Sequence, residues 1–235
     1  AGSLCCRQKS VRPRRGNGVA VTEGAIFDLD GTLLDSMSVW DQVGDLYLRS
    51  KGIVPPENLR ETLKTLSLLQ AAEYVRRTFG ITDSDEEFIR AIHHIIGQAY
   101  RHHVALKPHV KPFLQKLADA GVRMCVATAT ERHLAEAALR RLDVLDYFSF
   151  IITCTEVGSG KDEPGIYEKS LAMLGTPKEQ TVVFEDALHA VETAVKAGFR
   201  VVALKDGSNL SDTDRLKALA ECYITSFSKW EVSKS

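Results

Sequence analysis

The chain lacks any apolar run long enough to cross a membrane, and its first residues lack the short hydrophobic core of a signal peptide. Neither a membrane partner nor secretion is therefore expected, and the cytoplasm is the expected compartment. Cysteine is scarce. The five present, Cys5, Cys6, Cys125, Cys154 and Cys222, are odd in number and show no metal-ligand spacing. Cys125 and Cys154 fall within apolar, strand-like runs, which suits small buried thiols in a reducing cytosol. A surplus of either charge is also missing, since the net charge is −1 over 235 residues. That near-balance hides an asymmetry, because the first twenty residues contain Arg7, Lys9, Arg12, Arg14 and Arg15 and no acid. Beyond residue 20 there remain 25 basic against 31 acidic residues, a surface that argues against nucleic acid as a partner. Residues 1–20 are expected to be a disordered basic tail, with a transit peptide or a nucleic-acid-binding arm as the sharper alternative. No internal repeat is present.

What the chain does have is 44% hydrophobic and 26% charged residues, enough for a substantial globular core in one large domain or two unequal ones. The most informative stretch is Ala25-Ile26-Phe27-Asp28-Leu29-Asp30-Gly31-Thr32. An apolar run that ends in two carboxylates one residue apart, then Gly and Thr, predicts a buried strand whose carboxyl end is a reactive site. Buried carboxylates need partners, and a hard cation such as Mg²⁺ is the natural one.

From about Met37 to Lys107 strand signals disappear. Helices are predicted over 39–49, 58–65, 68–79 and 85–103, the last with Ile89, Ile92, Ile96, Ala99 and His103 at the spacing of one face. His93, His94, His102 and His103 lie there without the three- or four-residue spacing of a zinc site on one helix. Gly52 with Pro55-Pro56, and later Gly80, break the helices apart. From Pro108 onward strands and helices alternate. Strands are predicted at 122–128, 150–154, 181–184, 201–204 and 222–224, with helices from Val110, at 132–145, at 165–174, after Leu188 with Leu188, Val191, Val195 and Phe199 on one side, and at 212–220. Such alternation implies an α/β fold, a doubly wound, Rossmann-like parallel sheet. The expected organisation is a core of 21–36 plus 108–235 with a small α-helical cap domain inserted at 37–107, as a monomer or weak dimer.

In sheets of this kind ligands bind beyond the carboxyl ends of the strands. Four such ends carry polar residues: Asp28 and Asp30, then Thr128 and Thr130, then Lys161 in Gly158-Ser159-Gly160-Lys161, then Glu185-Asp186. Taken singly, Lys161 is a solvated loop lysine, Thr128 a β-branched strand residue and Glu185-Asp186 an acidic helix cap. Taken together they form a site for a phosphate dianion beside a divalent metal.

This order of motifs resembles the haloacid dehalogenase-like superfamily of phosphotransferases, in the branch that carries a helical cap after the first motif, which includes beta-phosphoglucomutase-like and phosphoglycolate-phosphatase-like proteins. The similarity runs from about Val21 to Phe227. It implies a Mg²⁺-dependent phosphatase acting on a small phosphorylated metabolite. Asp28 is then the nucleophile that forms an aspartyl-phosphate, and Asp30 the general acid and base whose main-chain carbonyl also binds the metal. Thr128, the Ala129 N–H and Thr130 hold the phosphoryl group, and Lys161 neutralises both it and Asp28. Asp186 binds Mg²⁺, with Glu185 either a direct ligand or acting through water. The cap would close over the core site and exclude water, with Trp40, Lys64 and Ser67 as its candidate substrate contacts.

The chain departs from the branch in ways that bear on substrate. Lys161 is followed by Asp162-Glu163-Pro164-Gly165 where the family has Pro-x-Pro-Asp. Trp40 replaces the mutases' cap-hinge histidine, Glu131 stands where they present a basic residue, and 63–69 lacks the glycine and arginine of their specificity loop. These differences weigh against the alternative of a sugar-phosphate mutase. A ligand-binding protein on the same scaffold is a further alternative, disfavoured by the intact Asp28, Asp30, Lys161 and Asp186. In similar dehalogenases the position of Asp30 is not acidic, because no alkoxide needs a proton there.

Overall fold

The computed structural model describes residues 21–63, 66 and 68–230. The basic tail lies outside those residues. Contacts divide the chain into two units, one of residues Ser36–Ala105 and one formed by the chain up to Asp35 together with Leu106 onward. Among the described residues no helix is long and apolar enough to cross a membrane.

In the sheet unit, β1 (Gly24–Phe27) is buried along its whole length and has a parallel neighbour on each side, β2 (Arg123–Thr128) and β4 (Thr181–Glu185). A strand covered on both faces has no polar side, which is why its sequence is a continuous apolar run. β3 (Phe150–Thr153) extends the sheet beyond β2, and β5 (Arg200–Leu204) and β6 (Cys222–Ile224) extend it beyond β4. The order is β3-β2-β1-β4-β5-β6, and every pairing is parallel. Strand order therefore reverses at β1, so the crevice where such sheets bind ligands opens at the carboxyl end of β1.

The pleat sorts the strand residues onto two faces. Ile26, Cys125, Ala127, Val183, Val201 and Ala203 pack with Ile166, Tyr167, Val191 and Leu216 of the helices that cover one side. On the other face Phe27 stacks on Phe184 at 4.6 Å between ring centroids, and Phe113, Phe148 and Phe227 close around the pair. Aromatic pairs in these offset and edge-on arrangements add about 0.5–1.5 kcal/mol each beyond their buried area. The rigid platform they make lies one residue from Asp28.

The helical unit contains α1 (Met37–Ser50), α2 (Leu59–Leu63), α3 (Leu68–Phe79) and α4 (Asp85–His102). α4 starts at a capping box in which Ser84 and Glu87 satisfy each other's backbone N–H. Its buried face is Phe88, Ile92, Ile96 and Tyr100, rotated by one residue from the expected one, and His103 is exposed. Two aromatics offer more area to bury than Ala99 and His103, and they decide the rotation.

The remaining helices belong to the sheet unit: α5 (Val110–Asp119), α6 (Arg132–Arg141), α7 (Cys154–Val157), α8 (Gly165–Leu174), α9 (Leu188–Lys196) and α10 (Thr213–Leu219). Three departures from the sequence reading have local causes. α6 stops before residue 145, because Asp143 is left-handed, with φ 55°, and a 3₁₀ turn follows at Leu145–Tyr147. Cys154 begins a one-turn helix instead of ending a strand, because Thr153 and Glu156 form a second capping box. Leu106 and Lys107 group with the sheet unit rather than the helical insert, tied by the Lys107 N–H to Leu33 O at 2.9 Å.

Candidate active site

Strand register alone delivers the acidic residues to one place. Phe27 sits beside Phe184 in the ladder, and the Asp28 N–H donates to Phe184 O at 2.9 Å, so Asp28 emerges next to Glu185. On the opposite flank of β1, Thr128 ends β2 and is fully buried. The residues gathered at this end of the sheet are charged and nonetheless hidden: Asp28 and Lys161 are 7% exposed, Asp186 4% and Glu185 1%.

Lys161 is the cation of this cluster. Its ammonium donates to Asp28 Oδ1 and, at 2.7 Å, to Glu185 Oε2. Burial disfavours that charge, but Asp28 and Glu185 outweigh it and hold the lysine well above its usual pKa. For Asp28 the balance runs the other way. Burial, reinforced by the Glu185 charge and only partly opposed by Lys161, pushes its carboxyl up to about 7. Burial also raises Asp186 well above the carboxylate range, with Asp28 and Glu185 adding to the effect. Among the described residues Lys161 is the ammonium that bonds Asp28 and Glu185, Lys107 only partly offsets the rise at Asp186, and burial with carboxylate repulsion prevails at Asp28 and Asp186.

Glu185 is the best-satisfied member. Its Oε1 accepts the N–H groups of Asp186 at 3.0 Å and Ala187 at 3.2 Å, and its Oε2 accepts Lys161 and the Tyr167 hydroxyl at 3.2 Å. Asp186 accepts the Thr32 hydroxyl on Oδ1 at 3.2 Å. Gly31, at φ 83°, packs so closely on the Asp186 carboxylate that a Cβ there would overlap it, so the position excludes other residues on both conformational and steric grounds.

These features fit a divalent metal. Asp28, Glu185 and Asp186 each offer an oxygen within 4.8 Å of the others. Asp28 Oδ2 is buried and accepts no hydrogen bond from the described residues, an arrangement that costs about 1–3 kcal/mol or more unless a cation or ligand completes it. An all-oxygen, anionic donor set suits Mg²⁺.

The Asp30 side chain is not part of that group. Its Oδ2 accepts the Thr130 hydroxyl at 2.6 Å, while Thr128 Oγ1 accepts the Thr130 N–H at 3.0 Å. Thr130, expected as a phosphoryl contact, thus has its hydroxyl on Asp30 and its N–H on Thr128, and the Thr128 O–H is not used in that bond. Ala129 is exposed. Trp40 lies on α1 in the helical unit, half-buried, with its indole N–H donating to the Tyr100 hydroxyl at 3.2 Å. Lys64 and Ser67 lie outside the described residues.

Three contributors escaped the sequence reading: Thr32, Tyr167 and Asn209. Thr32 stands inside the first motif, where its position was the available signal. Asn209 follows the carboxyl end of β5 in a polar turn, Asp206-Gly207-Ser208-Asn209, on the same side of the sheet as the other loops. Tyr167 lies in an amphipathic helix and carries no signal that separates it from core.

Known proteins share the family and the fold. The family model described as haloacid dehalogenase-like hydrolase matches residues 25–204. A Thermotoga maritima protein named phosphorylated carbohydrates phosphatase is 29% identical over 193 residues, covering 80% of this chain and 89% of that relative. Hexitol phosphatase A of Escherichia coli is 29% identical over 210 residues, covering 86% and 94%. Among solved structures, CbbY from Rhodobacter sphaeroides in complex with phosphate superposes with a TM-score of 0.74 over 88% of this chain and 95% of that one, at 24% identity, a likeness of fold. With the matched segment running from β1 through β5, the chain belongs to the haloacid dehalogenase-like hydrolases.

Proposed function

We propose that this hydrolase is a Mg²⁺-dependent phosphatase of small phosphorylated metabolites, sugar phosphates or comparable phosphomonoesters. The observation that carries the reading is Asp28 Oδ2, a buried carboxylate oxygen without a hydrogen-bond partner among the described residues, beside the Lys161 ammonium and the acidic pair Glu185-Asp186. The names of the Thermotoga and Escherichia relatives, both phosphatases of carbohydrate-type substrates, support the substrate class.

Asp28 and Asp186 are the residues to hold Mg²⁺, with the Asp30 carbonyl as a further ligand and Glu185 acting directly or through water. Bound there, the ion supplies positive charge against the phosphoryl oxygens and the clustered carboxylates. Everything else is the work of the chain. An Asp28 carboxylate oxygen attacks phosphorus in line, forming the aspartyl-phosphate as the ester bond breaks, and Asp30 gives its proton to the departing alkoxide. Asp30, now a carboxylate, takes a proton from water, whose oxygen attacks the same phosphorus and releases inorganic phosphate with Asp28 regenerated. Thr130, bonded to Asp30, fixes the position from which that proton moves. Thr128 O–H, the Ala129 N–H and Lys161 donate to the phosphoryl oxygens, and Lys161 stays charged throughout. The helical unit, with Trp40, Lys64 and Ser67, is assigned to substrate choice.

The test is phosphate release from a panel of sugar phosphates, phosphoglycolate, nucleotides and an aryl phosphate, with Mg²⁺ and with EDTA. Release that requires Mg²⁺ and is lost in Asp28→Asn is the expected result. Phosphoryl transfer between sugar positions without net release would overturn it.

A further inference from the structure

Asn209 has no place in the family motifs that mark the site, yet it is 4% exposed and makes three hydrogen bonds to main chain. Its Nδ2 donates to Asp186 O at 2.9 Å and to Leu204 O at 3.0 Å, and its Oδ1 accepts the Asp206 N–H at 3.1 Å. Two donors and one acceptor on a single short side chain are the inventory of an amide, and neither aspartate nor serine can reproduce it. The three groups it joins come from different elements: the loop that leaves β4, the end of β5 and the turn beyond it.

This matters most for Asp186. The β4–β5 ladder ends at Glu185 beside Ala203, so the Asp186 carbonyl has no strand partner to accept from. Asn209 supplies the missing donor. The turn that carries Asn209 is in turn fixed from below. Asp206 accepts the Ser208 N–H at 2.8 Å, the Ser208 hydroxyl at 2.7 Å and the Lys107 ammonium at 2.7 Å, and Lys107 also donates to Lys205 O at 3.0 Å. Lys107 and Asp206 are themselves largely buried, with side chains 12% and 5% exposed, so this ion pair is shielded from salt in a way surface pairs are not.

We infer that Asn209 is a positioning residue for the metal site: it fixes the main chain at Asp186 so that this carboxylate faces Asp28 and Glu185, with Asp206 and Lys107 holding Asn209 in register. The inference rests on the Mg²⁺ reading of the site. Groups that orient metal ligands without touching the metal typically change its affinity 10–100-fold when removed, and about that loss is expected here.

The experiment is Mg²⁺ binding by isothermal titration calorimetry alongside thermal unfolding, on the whole chain as wild type, Asn209→Ala, Asn209→Ser and Thr181→Val. Asn209→Ser, which keeps a small polar group, carries the test if Asn209→Ala is not recovered folded. Thr181, at the far end of β4, is the control for destabilisation alone. The expected result is Mg²⁺ affinity lowered about 10–100-fold in the Asn209 variant and unchanged in Thr181→Val, even where their Tm values fall together. In turnover, the Mg²⁺ concentration for half-maximal rate should rise while KM for substrate at saturating Mg²⁺ stays put. Asn209 variants that bind Mg²⁺ as the wild type does would overturn this inference alone. A wild type that binds no Mg²⁺ would overturn the metal reading, and this inference with it.

Discussion

The two ends of β4 bury polar groups in different styles. At its amino end the buried hydroxyls are neutral and matched: Thr176 and Thr181 share a hydroxyl–hydroxyl bond of 2.7 Å, and Thr181 also donates to Pro177 O at 2.7 Å. At its carboxyl end carboxylates crowd around the Lys161 ammonium, and Asp28 Oδ2 accepts no hydrogen bond from the described residues. One strand thus ends in matched hydroxyls on one side and in unfavourable charge on the other. Stability and chemistry should therefore respond to mutation separately, and in opposite directions at the reactive end.

The largest effect expected is at Asp28. Asp28→Asn removes the proposed nucleophile and should lower phosphate release by about 10⁴-fold or more. It should also raise the Tm of the Mg²⁺-free protein. A carboxyl raised from 3.8 to about 7 binds more protons folded than unfolded in that interval, so its contribution to stability falls as pH rises through it and is fully unfavourable above about 7. Scanning calorimetry at pH 8 should show the gain, and at pH 4 it should nearly vanish. Next is Lys161→Met, which strips the cluster of its ammonium. Steady-state kinetics should show kcat reduced about 10²–10³-fold, the scale of losing one charged stabiliser of the transferring group.

A milder perturbation is pH itself. On the proposed ligand set Mg²⁺ displaces the proton that Asp28 holds below about pH 7, so affinity should weaken on acidification, by about tenfold between pH 8 and pH 6 for one proton. Calorimetric titrations at the two pH values measure it directly, and a flat profile would separate Asp28 from the metal. The smallest effect belongs to the opposite end of the sheet. Thr181→Val leaves Thr176 and Pro177 O without their partner and should cost about 1–3 kcal/mol in denaturant unfolding, with kcat unchanged.

Much of the reactive end was legible in the sequence because its residues are adjacent to strand ends, and strand ends are marked by where apolar runs stop. Asp28, Thr128 and Glu185 are each placed by that rule. Helices α3 and α8 likewise follow their periodicity and breakers from Leu68 to Phe79 and from Gly165 to Leu174. What stayed hidden depends on contacts between distant segments. Tyr167 reads as one more apolar helix position until β4 brings Glu185 to its hydroxyl. Asn209 reads as a turn residue until the register of β4 and β5 sets Asp186 O and Leu204 O within its reach. The bond from the Trp40 N–H to the Tyr100 hydroxyl, 60 residues on in the helical unit, carries no sequence signal either. Cys154 reads as the end of a strand because an apolar run gives no warning that Thr153 and Glu156 cap a helix there.

In the proposed reaction phosphorus passes through a covalent bond to Asp28. Acid quenching of the enzyme during turnover of its best substrate, followed by peptide mass spectrometry, tests it most directly. A phosphoryl group on the peptide containing Asp28, present with Mg²⁺ and absent when substrate is omitted, is the predicted result. Steady turnover with no phosphorylated Asp28 at any quench time, or with the phosphoryl group on another residue, would contradict the account.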